Sequence, residues 1–204
     1  VAVDFPAGSG YDPEGKGGLA HLTQGLLDQG AGGLTDTDIA HRMADVGAAL
    51  GGRFERDRAG LTLRTLSSLR ERTVALDVLA RVIQTPTFAN AVVAREKKRV
   101  LSALREMEAQ PADVAEKALY RAMYGKHPYA HPEPGELASV APLTAQDLRT
   151  FHRAHYTASN ATVAIMGDIS RQEAEALALQ LTAKLPKGEP VAALPRPDPT
   201  PPGD

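Results

Sequence analysis

The chain has 204 residues, 43% of them hydrophobic and 24% charged, with a formal net charge of −2. That length buries one substantial core or two small ones, and the near-neutral balance gives no electrostatic case for nucleic acid. The absence of cysteine excludes disulfides and thiolate metal sites, and no apolar run approaches the roughly 20 residues of a membrane span.

Val1 to Ala7 alternates apolar with small or polar residues and suits a strand. Gly17-Gly18 then precede an apolar run at helical spacing (Leu19, Leu22, Leu26), with Gly30 placed to end that helix. Thr35 to Asp38 offer N-caps for a second helix reaching about Leu50, with Ile39, Met43, Val46 and Leu50 on its inner face and Gly51-Gly52 as its stop. Residues 53–58 and 60–67 read as a hairpin turning at Arg58-Ala59-Gly60. In its second strand Leu61, Leu63, Thr65 and Ser67 face one way, and Thr62, Arg64, Leu66 and Ser68 the other.

Helices are expected at about 70–84, 90–108 and 112–123, punctuated by Pro86 and Pro111. A loop rich in Gly, Pro and His (125–135) leads to a helix capped by Thr144, then a strand at 161–166 and a helix from about 171 to 184. Strands separated by pairs of helices, with one hairpin, predict an α+β fold in which helices cover a mostly antiparallel or mixed sheet. Residues 186–204 are Pro-rich and are expected to be an interdomain linker following a domain at 1–185. The opening strand has no lead-in, so the domain is expected to lack its first strand and to belong to a longer chain.

On the first helix His21 and position 25 share a face one turn apart, and position 24 lies beside them. A His-x-x-Glu-His series there would hold zinc through its two imidazoles and pass a proton from metal-bound water to its carboxylate. Here the series is His21, Gln24, Gly25. Gln24 cannot accept that proton and Gly25 offers no ligand atom.

Ala7 to Glu14 followed by Gly17 to His21, the aromatic-proline loop Tyr124 to Tyr129, and Leu143-Thr144 through Phe151, Tyr156 and Asn160 to Val163–Asp168 run in an informative order. Together they resemble the pitrilysin/insulinase family of inverted-motif zinc peptidases over nearly all of residues 1 to 190, and in particular its non-catalytic members. The resemblance implies one half of a mitochondrial-processing-peptidase-like metallohydrolase, whose two homologous halves close around a chamber. It also implies a third zinc ligand, a Glu on a later helix, and the matching stretch Val93 to Leu101 places Ala94 there. Glu96 is no substitute, because two residues along a helix is about 200° of rotation. No cofactor is therefore expected here, although the family uses zinc.

The resemblance further implies a domain that is not an enzyme on its own, pairs with an active zinc-peptidase subunit and supports proteolysis of an extended peptide. Leu61, Thr62, Leu63, Arg64 and Thr65 are the candidate peptide-pairing strand, since in the family an edge strand beside the motif helix pairs with substrate, and such pairing needs no metal. An interior strand is the alternative for these residues. Two other functions stay open: a weakly active metal-dependent peptidase using His152 and His155, and a purely structural assembly subunit. The similarity to bacterial paired peptidases implies a periplasmic location, with the cytoplasm as the alternative. His127 and His131 are separated by prolines that prevent a helix, His41 reads as solvent-side, and Arg95, Lys97, Lys98 and Arg99 as a solvated face.

Overall fold

The computed structural model describes residues 1–197. β1 (Ala2–Phe5) leads to α1 (Leu19–Gly25), α2 (Asp36–Asp45), β2 (Ala49–Phe54) and β3 (Ala59–Arg64). Three longer helices follow, α3 (Leu69–Gln84), α4 (Asn90–Glu108) and α5 (Pro111–Tyr124). The short α6 (Leu137–Val140), α7 (Ala145–His155), β4 (Thr162–Ala164) and α8 (Arg171–Thr182) complete an α+β fold. The strands form one antiparallel sheet in the order β2-β3-β1-β4.

Period-two alternation decides which face of this sheet is covered. Val3 and Phe5 of β1 lie opposite Leu61 and Ala59 of β3, and all four are buried. On β2 the same face carries Leu50, Gly52 and Phe54, opposite Leu63, Leu61 and Ala59. Thr62 and Arg64 turn the other way, as expected. Helices α1, α3 and α7 provide the cover, with Leu22, Leu79, Val82 and Leu148 in the same buried cluster. Tyr156, just past α7, sets its ring 4.8 Å from Phe5. Each such large side chain contributes about 1.5–3 kcal/mol by leaving water.

Capping explains where several helices begin. Thr35 with Asp38, Thr144 with Asp147 and Ser170 with Glu173 form reciprocal capping boxes at the starts of α2, α7 and α8. The end of α2 departs from expectation, stopping at Asp45 rather than near Leu50. Gly47 takes a φ of 59°, its N–H donates to Ala44 O, and the Ala48 N–H donates to Met43 O at 2.9 Å. This is the left-handed glycine stop, and it frees Leu50 to point inward from a strand. The hairpin consequently starts earlier than its pattern indicated, with the Glu55 N–H closing its turn onto Arg58 O at 2.9 Å.

Residues 186–197 form no helix or strand, as their prolines require, yet they are held on the domain. The N–H groups of Ala158 and Ser159 donate to Pro186 O and Lys187 O at 2.9 and 3.0 Å. The Asn160 amide donates to Glu189 O at 3.0 Å and accepts from the Val191 N–H at 2.9 Å. His127 accepts the Tyr129 N–H on Nδ1, so its Nε2 carries the proton that is donated to Pro195 O at 2.7 Å. The segment after 185 is thus a strap bonded to the domain as far as Pro195. Residues 198–204 of the expected linker lie outside the described residues.

Candidate functional site

Helix α1 is anchored at its N-terminus by Asp12, whose carboxylate accepts from the N–H groups of Gly18 and Ala20, both at 2.7 Å. The Asp12 side chain is only 1% exposed, and the His131 ring lies 4.0 Å away. Burial pushes the Asp12 carboxyl up to about 6, opposed by its backbone hydrogen bonds and by His131. Gly18, at a φ of 91°, turns the chain into the helix so closely beneath the Pro134 carbonyl that a side chain there would collide.

From that anchor the helix directs His21 and Gln24 toward β2. The His21 ring stands edge-on to Phe54, with centroids 5.2 Å apart. Its Nδ1 is buried without a hydrogen-bond partner, and burial lowers its proton affinity, so the ring is held neutral. Gln24 donates from Nε2 to Gly60 O at 3.4 Å and rests on Gly52, where a Cβ would strike the amide. Gly25 is exposed, and a Cβ built there meets nothing within 4 Å. His21, Gln24 and Gly25 thus lie together on α1, and position 25 faces open space.

The expected third position, Ala94, is exposed on α4. Glu96 is bound by Arg95 at 2.9 Å and Arg99 at 2.8 Å. Arg95 also reaches Gln29 Oε1 at 3.2 Å, which places the start of α4 near the segment after α1. A zinc ion needs at least three protein ligands, and no group of three or more His, Cys, Asp or Glu is arranged to hold a metal among the described residues. The residues present do not fit the metal. Gln24, as an amide, has no basicity with which to activate water.

The rival pair His152 and His155 is committed elsewhere. His152 bonds through Nε2 to Ile83 O at 2.9 Å and stacks on Tyr156, while His155 bonds through Nδ1 to Pro6 O at 3.0 Å and stacks on Phe151. Burial lowers both, His152 to about 4. Their rings address different elements, so they do not chelate jointly. His127 and His131 likewise serve the loop, through the contacts already described to Tyr129, Pro195 and Asp12.

The candidate pairing strand requires correction. β3 pairs with β1 through Thr62, Leu61, Gly60 and Ala59, and with β2 along its whole length. Leu63 also exchanges bonds with Val1 at 2.8 Å. Leu61, Thr62 and Leu63 thus have both sides occupied, Arg64 still pairs with Ala49, and Thr65 lies past the strand. Among the described residues, the edge strand with an unpaired side next to α1 is β2. Sequence alternation identified the inner face but not the order of strands, which long-range pairing sets. Asp12 was also missed, although an acid shortly before a Gly-Gly turn and an apolar helix was a readable signal.

A family model described as insulinase (peptidase family M16) matches residues 1–133. The chain belongs to this family. A second model, described as peptidase M16 inactive domain, matches residues 142–204. The chain is 26% identical over 185 residues to a probable mitochondrial-processing peptidase subunit beta of Arabidopsis thaliana, covering 91% of this chain and 34% of that protein. It superposes with a TM-score of 0.93 and 36% identity on the crystal structure of a peptidase M16 inactive domain from Pseudomonas fluorescens, over 97% of this chain and 48% of that one. It shares its fold with the periplasmic protease PqqL of Escherichia coli, at a TM-score of 0.80, 18% identity, and coverage of 98% and 22%. The chain thus spans half or less of the length of these relatives.

Proposed function

We propose that this domain does not hydrolyse peptides by itself. Instead it forms half of a peptide-enclosing chamber and pairs with an active zinc peptidase, whose work it supports. One feature supports the reading: of the four positions that the resemblance assigns to the zinc chemistry, only His21 is kept, while Gln24, Gly25 and Ala94 stand at the other three. The α1 anchor, the closeness of Gln24 to the hairpin and the antiparallel sheet are features of a helix still held for use beside β2. On this reading β2 pairs its free side with an extended peptide, a mode of binding that uses backbone groups and needs no metal. A second homologous half of the same chain supplies the facing wall, and the assembly works in the periplasm.

The test is peptide cleavage by the purified full-length chain, alone and with a partner that carries an intact His-x-x-Glu-His motif. Cleavage is expected only with the partner, and the chain should raise its rate. Efficient cleavage by the chain alone, abolished by a chelator, overturns the proposal. Crosslinking with an extended photoreactive peptide should label both subunits. Labelling confined to the partner would reduce this domain to a structural role.

A further inference from the structure

The Pro134 carbonyl sits over Gly18, Gly135 lies against the Gly17 carbonyl, and the Ser139 hydroxyl donates to Gly17 O at 2.7 Å. The 131–139 segment is thereby seated on the entry to α1. At the centre of this seam the Asp12 carboxylate faces His131, with Oδ2 4.0 Å from Nε2. His131 Nδ1 lies 3.0 Å from Pro132 O, and since a carbonyl only accepts, Nδ1 carries the ring proton. A neutral ring therefore turns the lone pair of Nε2 toward the carboxylate, and that nitrogen is buried without a hydrogen-bond partner. Two acceptors facing each other away from water are unfavourable. One added proton reconciles them. On Nε2 it makes an imidazolium that donates to the carboxylate, and on Asp12 Oδ2 it makes a carboxyl that donates to the imidazole. The other charges around the seam are paired among themselves. Arg56, past β2, meets Glu133 and the carbonyls of Tyr129 and His131. Lys16 meets Asp147 of α7, and Glu136 meets Lys117 and Arg121 of α5. Tyr11 lies beside His155 of α7, whose Nδ1 is held on Pro6 O, and His21 of α1 turns to Phe54.

We propose that Asp12 and His131 share one proton and so form a latch between the 131–139 segment and α1, closed while the proton is held and slack once it is lost. Asp12 caps α1 in both states. Its Oδ1 keeps the Ala20 N–H, and a protonated Oδ2 retains a lone pair for the Gly18 N–H. What changes is the bond across the seam. The Asp12 carboxyl is pushed up to about 6 by burial, and two groups this close titrate as one unit. The folded value lies above the unfolded 3.8, so the contribution of the latch is present in acid and is lost as pH rises through about 6. Because α1 carries His21 and Gln24 beside β2, a slack entry loosens the footing of the whole site. The latch does not depend on what the domain binds.

The experiment follows hydrogen exchange of the full-length chain by mass spectrometry between pH 5 and 8. Rates are corrected for the intrinsic effect of pH and referred to the core helix α3. Peptides covering residues 127–140 should exchange about tenfold faster at pH 8 than at pH 5, the effect of losing one charge-assisted hydrogen bond. His131→Phe removes the ring nitrogen and should leave those peptides fast at both pH values, with α3 unchanged. His131→Gln can donate its amide N–H to the charged carboxylate and should keep them slow even at pH 8. A parent profile that follows α3 at every pH overturns the latch. So does a pH step that survives in His131→Phe, which would assign the step to Asp12 alone. Equal loosening of His131→Gln and His131→Phe also overturns it, since a merely structural role of the ring predicts that result. Should His131→Phe fail to fold, the parent profile and His131→Gln decide between the same outcomes.

Discussion

Burial holds the His152 imidazole at about 4, where the unfolded chain titrates near 6.5. Between those values the unfolded state binds the proton and the folded state does not, so stability is full above pH 6.5 and falls as pH drops toward 4. The size is on the order of 3 kcal/mol. Asp12 acts in the opposite sense. Its folded value of about 6 lies above the unfolded 3.8, so its contribution improves as pH falls from 6 to 4. Urea unfolding between pH 7.5 and 4 should therefore show a shallower acid loss for His152→Phe and a steeper one for Asp12→Asn than for the parent chain. Parallel pH profiles in all three would refute the assignment. These roles were hidden in the sequence, because Asp12 meets His131 and His152 meets Ile83 across long stretches of chain. The triplet His21, Gln24, Gly25 was legible, since helical spacing alone makes those positions neighbours.

At the level of elements, two glycines of the site make contrasting demands. At Gly60 a Cβ would run into the Val3 carbonyl and the Asp4 backbone, which belong to the paired strand and cannot step aside. Gly60→Ala should cost about 1–3 kcal/mol or more in urea denaturation. Gly25→Ala, in open space at the end of α1, should be neutral or stabilising by up to about 1 kcal/mol. A second prediction concerns the strap. Asn160→Ala removes both bonds to Glu189 and Val191 and should weaken strap docking by about 1–3 kcal/mol, read as faster limited proteolysis within residues 186–195 with the melting of the domain little changed. The positions of α3, α4, α5, α7 and α8 were readable from apolar period, prolines and caps. The α2–β2 boundary was not, because Leu50 continues the helical period of Ile39, Met43 and Val46 by coincidence, and only the φ of Gly47 breaks it.

For the molecule as a whole, the open space at Gly25 leaves room for a larger side chain there without a change of fold. The triple variant Gln24→Glu/Gly25→His/Ala94→Glu should retain about one zinc per chain after dialysis, by elemental analysis, while the parent retains none. Stoichiometric zinc on the parent would contradict the reading of a vacated centre, and no zinc on a folded triple variant would show that α4 does not present position 94 to α1. Because the chain covers half or less of its relatives, cleavage and peptide-binding assays belong on the full-length chain.

Local chemistry was enough to determine the helices and their caps, the inward face of the hairpin, and the grouping of His21, Gln24 and Gly25 on α1. All of these depend on neighbours within about one or two turns of chain, where spacing alone sets geometry. The order of the strands, the edge position of β2, the anchoring of α1 by Asp12 and the strap on Asn160 were decided only by tertiary structure. Each joins groups dozens of residues apart, and no periodicity records which distant carbonyl, carboxylate or strand edge a side chain will meet once the core has closed.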